Sequence, residues 1–174
     1  MARPALLVGR QRAGPVWRAA VGTLFEEGTC DAAQFLSAGA SPDRVRRALD
    51  AVADALRRFH DAGGLHPDLH AGNLLLRERS DATEAVVVDL DGARLRRSPS
   101  ARQRMAELMR LYRSLLKLGL VERIGRAGCA RFLTRYTRRD RQLRRALLSQ
   151  LPRECLRLRL HALGWHLTPG RSRG

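Results

Sequence analysis

Two short apolar runs with acidic residues at their ends constrain the fold of this chain more than any other feature. Within Leu65–Gly92, the sequence LHPDLHAGNLLL is followed by the polar turn RERSDAT and then by EAVVVDLDG. Apolar runs of this length around a polar turn predict a β-hairpin. Asp68 and Asn73 precede its first strand, and Asp89 and Asp91 follow its second. We therefore expect the four side chains at one end of the hairpin, where they can hold Mg²⁺ and a nucleotide phosphate.

The spacing of these residues predicts phosphoryl-transfer chemistry. His66, Asp68 and Asn73 follow the pattern H-x-D-x-x-x-x-N, the catalytic loop of phosphotransferases. In that chemistry the Asp accepts the proton of the attacking hydroxyl, and the Asn turns its amide oxygen to Mg²⁺. A second Asp, delivered by the following hairpin, binds the metal that bridges the phosphates, and Asp89 occupies this position. Asp91 stands where a glycine is usual.

Other interpretations of the same residues stay open. Asp91 is a further candidate metal ligand, and a turn cap is the alternative for it. We expect His66 to be structural in the loop, hydrogen-bonded to its backbone, rather than catalytic. His66, Asp68 and His70 also occupy alternate positions, so on a strand they could share one face as a transition-metal site. That alternative leaves Asn73 and the second acidic pair, Asp89 and Asp91, without a role.

Cap and turn residues predict the elements around the hairpin. A helix begins at Ser41-Pro42-Asp43, with Ser41 as N-cap, and ends at Gly63-Gly64; His60 caps or packs at its end. A second helix opens at Ser98-Pro99-Ser100 and ends at Gly119. Their apolar faces are Val45, Leu49, Val52, Leu56 and Phe59, and Met105, Leu108, Met109, Tyr112, Leu115 and Leu116. Shorter elements are expected as strands at Ala5–Val8 and Trp17–Phe25 and as helices at Val121–Ile124, Ala127–Tyr136 and Asp140–Leu151 before a break at Pro152. For the segment after Pro152 we expect either a strand at Leu156–Leu160 or a helix that continues to Leu163.

Basic side chains are concentrated after the hairpin. Residues 1–92 carry 11 basic and 13 acidic side chains, whereas residues 93–174 carry 22 basic and 4 acidic ones. Such a field attracts an anionic partner: lipid headgroups, phosphorylated glycan or nucleic acid. The alternative is a solvated surface made arginine-rich by codon bias, since Lys117 is the only lysine. The sequence has no aromatic platform or motif for reading nucleic acid, which favours lipid or glycan.

Cysteine spacing and hydropathy limit the cellular compartments in which we expect this chain. Cys30, Cys129 and Cys155 are widely spaced and form no CxxC pair, which predicts a reducing cytosol rather than a disulfide framework or a structural zinc site. No apolar run approaches the roughly 20 residues of a transmembrane helix. The N-terminal apolar stretch is too short for a secretory signal, so we expect it to be retained.

The loop, the hairpin and the flanking helices resemble the lipopolysaccharide core kinases, in particular the 3-deoxy-D-manno-octulosonic acid (Kdo) kinase family. The resemblance covers roughly Trp17 to Lys117. It is carried by Phe59-His60-Asp61-Ala62-Gly63, the His-x-Asp-Leu…Asn loop, Asp89-Leu90-Asp91 and Leu111-Tyr112-Arg113-Ser114-Leu115-Leu116-Lys117. Aminoglycoside and choline kinase-like proteins share a similar loop, so the loop alone does not define the substrate.

The resemblance implies an α+β, mostly α fold: a protein-kinase-like C-lobe with a remnant of the N-lobe. We expect remnant N-lobe strands in residues 1–25, a hinge in 26–40, the C-lobe in 41–167 and a disordered basic tail in 168–174. The implied activity is transfer of phosphate from ATP to a Kdo or heptose hydroxyl of the lipopolysaccharide inner core. Asp68 is then the base, and Asn73 and Asp89 hold Mg²⁺. The implied partners are the lipid A-core glycolipid or another sugar substrate, and the anionic cytoplasmic face of the inner membrane.

The N-terminal region departs from the family pattern. No Gly-rich phosphate loop precedes Asp68, because Gly9, Gly14 and Gly22 are too widely spaced, and no lysine lies upstream of it. We therefore expect an N-terminally truncated kinase. The alternatives are a catalytically degenerate kinase-like binding module and a small-molecule kinase of the aminoglycoside or choline type.

Overall fold

The computed structural model describes the backbone of residues 4–13, 16–23 and 26–158 and the side chains of residues 26–158. The helices are α1 (Ala32–Ser37), α2 (Pro42–Asp61), α3 (Ala101–Lys117), α4 (Val121–Thr137) and α5 (Arg141–Leu148). The strands are β1 (Pro4–Ala13), β2 (Val16–Thr23), β3 (Thr29–Asp31), β4 (Gly64–Leu65), β5 (Leu74–Glu78), β6 (Thr83–Val87) and β7 (Arg94–Leu95). The prediction of a mostly helical α+β fold is confirmed.

The N-terminal strands form an antiparallel pair, β1 with β2, in which Val8 lies opposite Ala20. β1 runs past both ends of the predicted strand Ala5–Val8, because cross-strand hydrogen bonds extend the ladder into polar sequence that shows no apolar run. The predicted turn at Gly14-Pro15 and the predicted strand end at Phe25 lie outside the described residues.

The predicted hinge, residues 26–40, contributes a strand as well as the expected short helix. β3 pairs antiparallel with β5, and Cys30 lies opposite Leu76. Asp31 then caps α1 by accepting a hydrogen bond from its first turn at 2.8 Å. Phe35 of α1 is buried in the same core as α2 and the hairpin. The strand was not predicted because three residues are too short to show an alternating pattern.

Helix α2 follows its predicted apolar stripe. The Ser41 hydroxyl accepts a hydrogen bond from the Arg44 amide at 3.5 Å, and Pro42 occupies the first turn. The stripe is buried at Val45, Val52, Leu56 and Phe59 and half-buried at Leu49. The helix ends before Gly63, whose φ of +89° favours glycine. A Cβ atom at Gly63 would also collide with the carbonyl of Arg96.

Helix α3 begins with a capping box. The Ser100 hydroxyl accepts from the Gln103 amide at 3.3 Å, and the Gln103 side chain accepts from the Ser100 amide at 2.9 Å. The predicted apolar face is buried at Met105, Leu108 and Met109. The prediction for Leu116 is wrong, because its side chain is 48% exposed. Successive side chains of an α-helix are rotated by about 100° around its axis. Because Leu115 packs against the core, the next side chain, Leu116, is directed away from the core.

The chain after α3 keeps the predicted break inside α4. Gly125 has φ +65° and ψ 173°, which separates a short helix at Val121–Ile124 from the longer one expected at Ala127–Tyr136. A left-handed φ of this kind is accessible to glycine at little cost. The prediction of two helices is therefore confirmed, although they are nearly continuous.

The C-terminal helices differ from the prediction at Pro152. α5 ends at Leu148, three residues before the predicted end, and residues 151–158 are helical again. Pro152 lies in the first turn of this second helix, where its missing amide hydrogen costs nothing, instead of only ending the first. A strand over Leu156–Leu160 is wrong as far as residue 158.

The hydrophobic core places α2 between the β5–β6 hairpin and α4. Leu56 of α2, Leu74 and Val87 of the hairpin, and Tyr136 of α4 are each at most 1% exposed. The hairpin is thus held by its apolar face. At its open end Asn73 is buried, whereas the aspartates Asp68, Asp89 and Asp91 are exposed.

Candidate active site

The open end of the hairpin brings the catalytic-loop residues beside the second acidic pair. β5 and β6 are antiparallel, and Leu74 lies opposite Val87. The ladder continues one step further, because the Val88 amide donates to the carbonyl of Asn73 at 3.1 Å. Asp89 follows this bond directly. The loop before β5 and the residues after β6 are therefore joined at the backbone.

The imidazole of His66 makes a second connection between the two segments. Its Nδ1 accepts a hydrogen bond from the Asp68 amide at 3.2 Å. Since Nδ1 accepts, a neutral ring carries its proton on Nε2, which donates to the carbonyl of Val88 at 3.1 Å. His66 is fully buried. One ring thus binds the backbone of Asp68 and that of the residue before Asp89.

Asn73 is oriented by its own loop. It is 6% exposed, and its Nδ2 donates to the carbonyl of Asp68 at 3.0 Å. This bond uses the amide nitrogen, so Oδ1 is the atom available to a ligand. The backbone of the same residue begins the hairpin. The loop geometry therefore presents an amide oxygen beside Asp68.

Asp68 itself projects into solvent, with 75% of its side chain exposed. The His70 ring lies beside it, with Nε2 3.7 Å from the Asp68 carboxylate. The other ring nitrogen, Nδ1, accepts from the Gly72 amide at 3.1 Å and caps the 3₁₀ turn Ala71–Asn73. The carboxylate is thus open to an incoming substrate.

Asp89 has a left-handed backbone, with φ +55°, and its side chain is exposed. Few residues other than glycine adopt this conformation, although aspartate tolerates it better than most. Such outliers are concentrated at functional sites, where the surrounding structure enforces them. Here the hydrogen bonds to both sides of Val88 fix the residue immediately before the outlier.

Asp91 lies in the turn that follows. The Ala93 amide donates to the carbonyl of Leu90 at 2.9 Å, and Gly92 has φ +68°. Within residues 26–158 the exposed Asp91 carboxylate makes no hydrogen bond that would cap this turn. Its contacts therefore support neither the turn cap nor the metal ligand, and Asp91 stays a candidate ligand.

The alternative transition-metal site at His66, Asp68 and His70 is wrong. Both ring nitrogens of His66 are engaged by the backbone, so neither is free to bind a metal. In the described part of the chain no three His, Cys, Asp or Glu side chains are grouped to hold a metal ion. A divalent ion at Asn73 and Asp89 would accordingly need ligands from a bound phosphate, as is usual for Mg²⁺.

A buried polar network supports the loop from behind, and the sequence did not predict it. Glu107 of α3 is 5% exposed, and its Oε1 accepts from the His66 amide at 3.0 Å. Its Oε2 lies 3.0 Å from Nε2 of His60, whose Nδ1 lies 2.6 Å from the Tyr136 hydroxyl. The only sequence signal was an acidic residue four positions before Leu111 on the buried face of α3.

Arginines surround the far end of this network. Burial raises the pKa of Tyr136 to about 12, although the hydrogen bond and positive charge of Arg104 lower it. Arg104 donates to Asp61 at 2.8 Å and to the carbonyl of His60 at 3.4 Å. Burial raises the pKa of Asp61, but hydrogen bonds from Arg104 and Arg57 outweigh it, and the net shift is downward. Of the two roles expected for His60, packing at the helix end is the one observed.

An apolar cavity lies within the hydrophobic core, between α2, α3, α4 and β5. Its volume is about 450 Å³, and it is lined by α1 to α4, by β5 and by residues 151–158. Phe35, Val52, Met109, Phe132 and Leu158 are among the lining side chains. None of the candidate site residues lines the cavity, although Leu74, which follows Asn73, does.

Comparison with known proteins identifies the family. The model of the lipopolysaccharide kinase (Kdo/WaaP) family matches residues 2–136. The chain belongs to this family. The Kdo/WaaP match spans β1 to Tyr136, so it includes the loop, the hairpin and the whole buried network. The predicted resemblance is confirmed.

Curated relatives and a solved structure agree with this family. Two proteins named 3-deoxy-D-manno-octulosonic acid kinase, from Xanthomonas oryzae pv. oryzae strains PXO99A and KACC10331 / KXO85, are each 42% identical over 69 residues. That region is 40% of this chain and 26% of each relative, so the chain spans about a quarter of their length. A structure of WaaP in complex with acyl carrier protein is 28% identical, with a TM-score of 0.65 over 87% of this chain and 65% of that chain. The predicted kinase-like fold is confirmed.

Hydropathy adds one observation about the family member. Among the helices of residues 26–158, none has both the length and the apolar character needed to cross a bilayer.

Proposed function

We propose that this Kdo/WaaP family member transfers phosphate from ATP to a Kdo or heptose hydroxyl of the lipopolysaccharide inner core. One observation carries the proposal: the buried His66 ring hydrogen-bonds both the Asp68 backbone and the residue before Asp89. That arrangement holds the two acids in a constant relation, which phosphoryl transfer requires because its catalysis is mostly positioning and charge neutralisation.

Asp68 is the proposed general base. Its exposed carboxylate accepts the proton of the acceptor hydroxyl as the hydroxyl oxygen forms its bond to the γ-phosphorus, and the bond to ADP breaks. The family pattern and the exposure of the side chain support this role. His66 is the proposed structural residue of the loop, since both of its ring nitrogens are used in backbone hydrogen bonds.

Asn73 and Asp89 are the proposed Mg²⁺ ligands, with Asp91 as a further candidate. An amide oxygen and one or two carboxylates suit the preference of Mg²⁺ for oxygen ligands completed by substrate phosphates. The ion would neutralise the phosphate charge that develops during transfer. The Asn73 amide oxygen is available because the nitrogen is bound to the loop, and the left-handed Asp89 backbone is a local conformation that the flanking bonds enforce.

The proposed setting is the cytoplasmic face of the inner membrane, with the enzyme bound peripherally. An excess of basic residues after position 92 supports attraction to an anionic surface. The lipid A-core glycolipid would then be the acceptor, and nucleic acid would not be a partner.

The activity is tested by incubating the chain with ATP, Mg²⁺ and Kdo-containing lipid A in detergent micelles. We expect ADP and phosphorylated glycolipid in equal amounts, measured by chromatography and mass spectrometry. Transfer to choline or an aminoglycoside instead of the glycolipid would support the small-molecule alternative. Absence of both transfer and a Mg²⁺-ATP thermal shift would contradict the proposal and support the binding module.

A second candidate function is binding of acyl carrier protein, which the apolar cavity favours. WaaP was solved with that protein, and a cavity of about 450 Å³ lined by carbon atoms is suited to an acyl chain. Titration with acylated and non-acylated acyl carrier protein tests this idea. We expect the acylated form to bind more tightly, because only it can bury apolar surface in the cavity. Equal affinity for the acylated and non-acylated forms would show that the acyl chain does not bind in the cavity.

A further inference from the structure

A basic segment follows the second acidic pair. We call residues Arg94 to Arg97 the basic ridge. Both residues of β7, Arg94 and Leu95, are exposed, as are the two arginines that follow, and Leu95 is 83% exposed. An isolated exposed leucine is ordinary on a protein surface. Three arginines around it, directly after the candidate metal ligands, form a more specific feature.

Backbone hydrogen bonds fix the ridge beside the catalytic loop. β7 pairs antiparallel with β4, and Arg94 lies opposite Leu65. The Arg96 amide also donates to the carbonyl of Gly63 at 2.8 Å. Asp68 follows Leu65 by three residues, so the Cα atoms of Arg94 and Asp68 are within about 16 Å of each other. On its other side, the ridge is joined to Asp91 by a closed turn.

The ridge arginines have no internal counter-charge. Within residues 26–158 the guanidinium groups of Arg94, Arg96 and Arg97 make no hydrogen bond or ion pair. All 17 acidic residues of the chain lie in that same range. Elsewhere arginines do find carboxylates: Arg131 pairs with Asp50 at 2.6 Å. The ridge therefore presents positive charge that no acidic side chain of residues 26–158 neutralises.

Guanidinium groups bind carboxylates and phosphates through paired, charge-assisted hydrogen bonds. The pairing of β7 with β4 keeps the ridge close enough to Asp68 for an extended acceptor, with its hydroxyl at Asp68, to reach the arginines. We propose that Arg94, Arg96 and Arg97 bind acidic groups of a membrane-borne acceptor glycolipid, while Leu95 enters the apolar edge of the bilayer. This inference rests on the proposed function, and it makes the ridge the element that selects an anionic acceptor.

The test compares two charge-matched triple variants of the full chain. One carries Arg94→Gln, Arg96→Gln and Arg97→Gln; the control carries Arg141→Gln, Arg144→Gln and Arg145→Gln, which are exposed arginines of α5. Binding is measured by co-sedimentation with phosphatidylcholine vesicles containing either Kdo-containing lipid A or phosphatidylglycerol at the same charge density. Direct binding is measured because it does not depend on turnover.

We expect the ridge variant to bind glycolipid vesicles about tenfold more weakly than the control variant, which corresponds to about 1.4 kcal/mol. Both variants should bind phosphatidylglycerol vesicles similarly, since their net charges are equal. If the ridge variant bound both kinds of vesicle more weakly than the control by the same factor, the inference would be overturned. The arginines would then act only through non-specific attraction to negative charge. Leu95→Ser is expected to weaken vesicle binding without affecting the deacylated, water-soluble headgroup; an effect on the headgroup would contradict the role given to Leu95.

The inference and the proposed function can fail separately. If the wild type binds the glycolipid through the ridge but produces no phosphorylated lipid, the function is wrong and the ridge stands. If transfer occurs while the ridge variant keeps wild-type affinity for the glycolipid, the ridge is wrong and the function stands. A rise in the KM for ATP instead of weaker glycolipid binding would also overturn the ridge, because the arginines would then contact the nucleotide.

Discussion

Replacing Asp68 by asparagine should lower the rate of phosphoryl transfer about 10²- to 10⁴-fold, the usual contribution of a general base. Asparagine has nearly the same shape but cannot accept the proton of the acceptor hydroxyl. The fold should be unchanged, because the side chain is 75% exposed and only the backbone of Asp68 takes part in the loop hydrogen bonds. The measurement is single-turnover transfer from ATP to the glycolipid.

The matched control is Asp81→Asn. Asp81 is an exposed aspartate in the turn between β5 and β6, and within residues 26–158 its one hydrogen bond comes from the Ser80 hydroxyl at 3.2 Å. It should transfer phosphate at the wild-type rate, and both variants should keep the Mg²⁺-ATP thermal shift. If Asp68→Asn retained the wild-type rate, the base would have to be another residue. Loss of the thermal shift in Asp68→Asn would place this residue in nucleotide binding instead.

Replacing Glu107 by alanine should lower the free energy of unfolding by about 3 kcal/mol. The change leaves the His66 amide and one nitrogen of His60 buried without a partner. Glu107→Gln should cost less, about 1 to 2 kcal/mol, because its oxygen can still accept from the His66 amide. Urea unfolding at neutral pH, followed by circular dichroism, measures both variants, and the glutamine variant gives a value if the alanine variant does not fold.

Glu122→Ala is the control for this series. Glu122 is exposed in the first turn of α4, so its removal should cost at most about 1 kcal/mol through the helix dipole. If Glu107→Ala cost no more than Glu122→Ala, the buried network would contribute nothing measurable to stability. The loop would then be held by the hairpin alone.

The parts of the fold that were predictable are those determined by neighbouring residues. The α2 stripe, its Ser41 cap and the hairpin all depend on side chains a few positions apart, and each was predicted with nearly correct bounds. The strand β3 was missed because it exists only through its pairing with β5, about 45 residues later in the chain. Short strands of this kind carry no periodic signal of their own.

The candidate site likewise has features that neighbouring residues predict and features that depend on distant residues. The spacing of Asp68 and Asn73 predicts their proximity, since both belong to one loop. The left-handed backbone of Asp89 was not predictable, because the residue before it is held by hydrogen bonds to Asn73 and His66 that no local pattern indicates. Nor was the contact of His60 with Tyr136, which lie 76 positions apart. A buried polar pair at such a distance is chosen by packing, and no local pattern indicates it.

That separation has a consequence for synthesis of the chain. The ribosome releases a chain from its N-terminus, and a domain generally folds as a unit. His60 emerges well before Glu107, and Tyr136 emerges last, so a nascent chain that has already made α2 and the hairpin still lacks both partners of the imidazole. The support behind the His66 loop is therefore completed only when α4 has been translated. The candidate site can therefore reach its final structure only after Tyr136 has been synthesised, although Tyr136 is not a site residue.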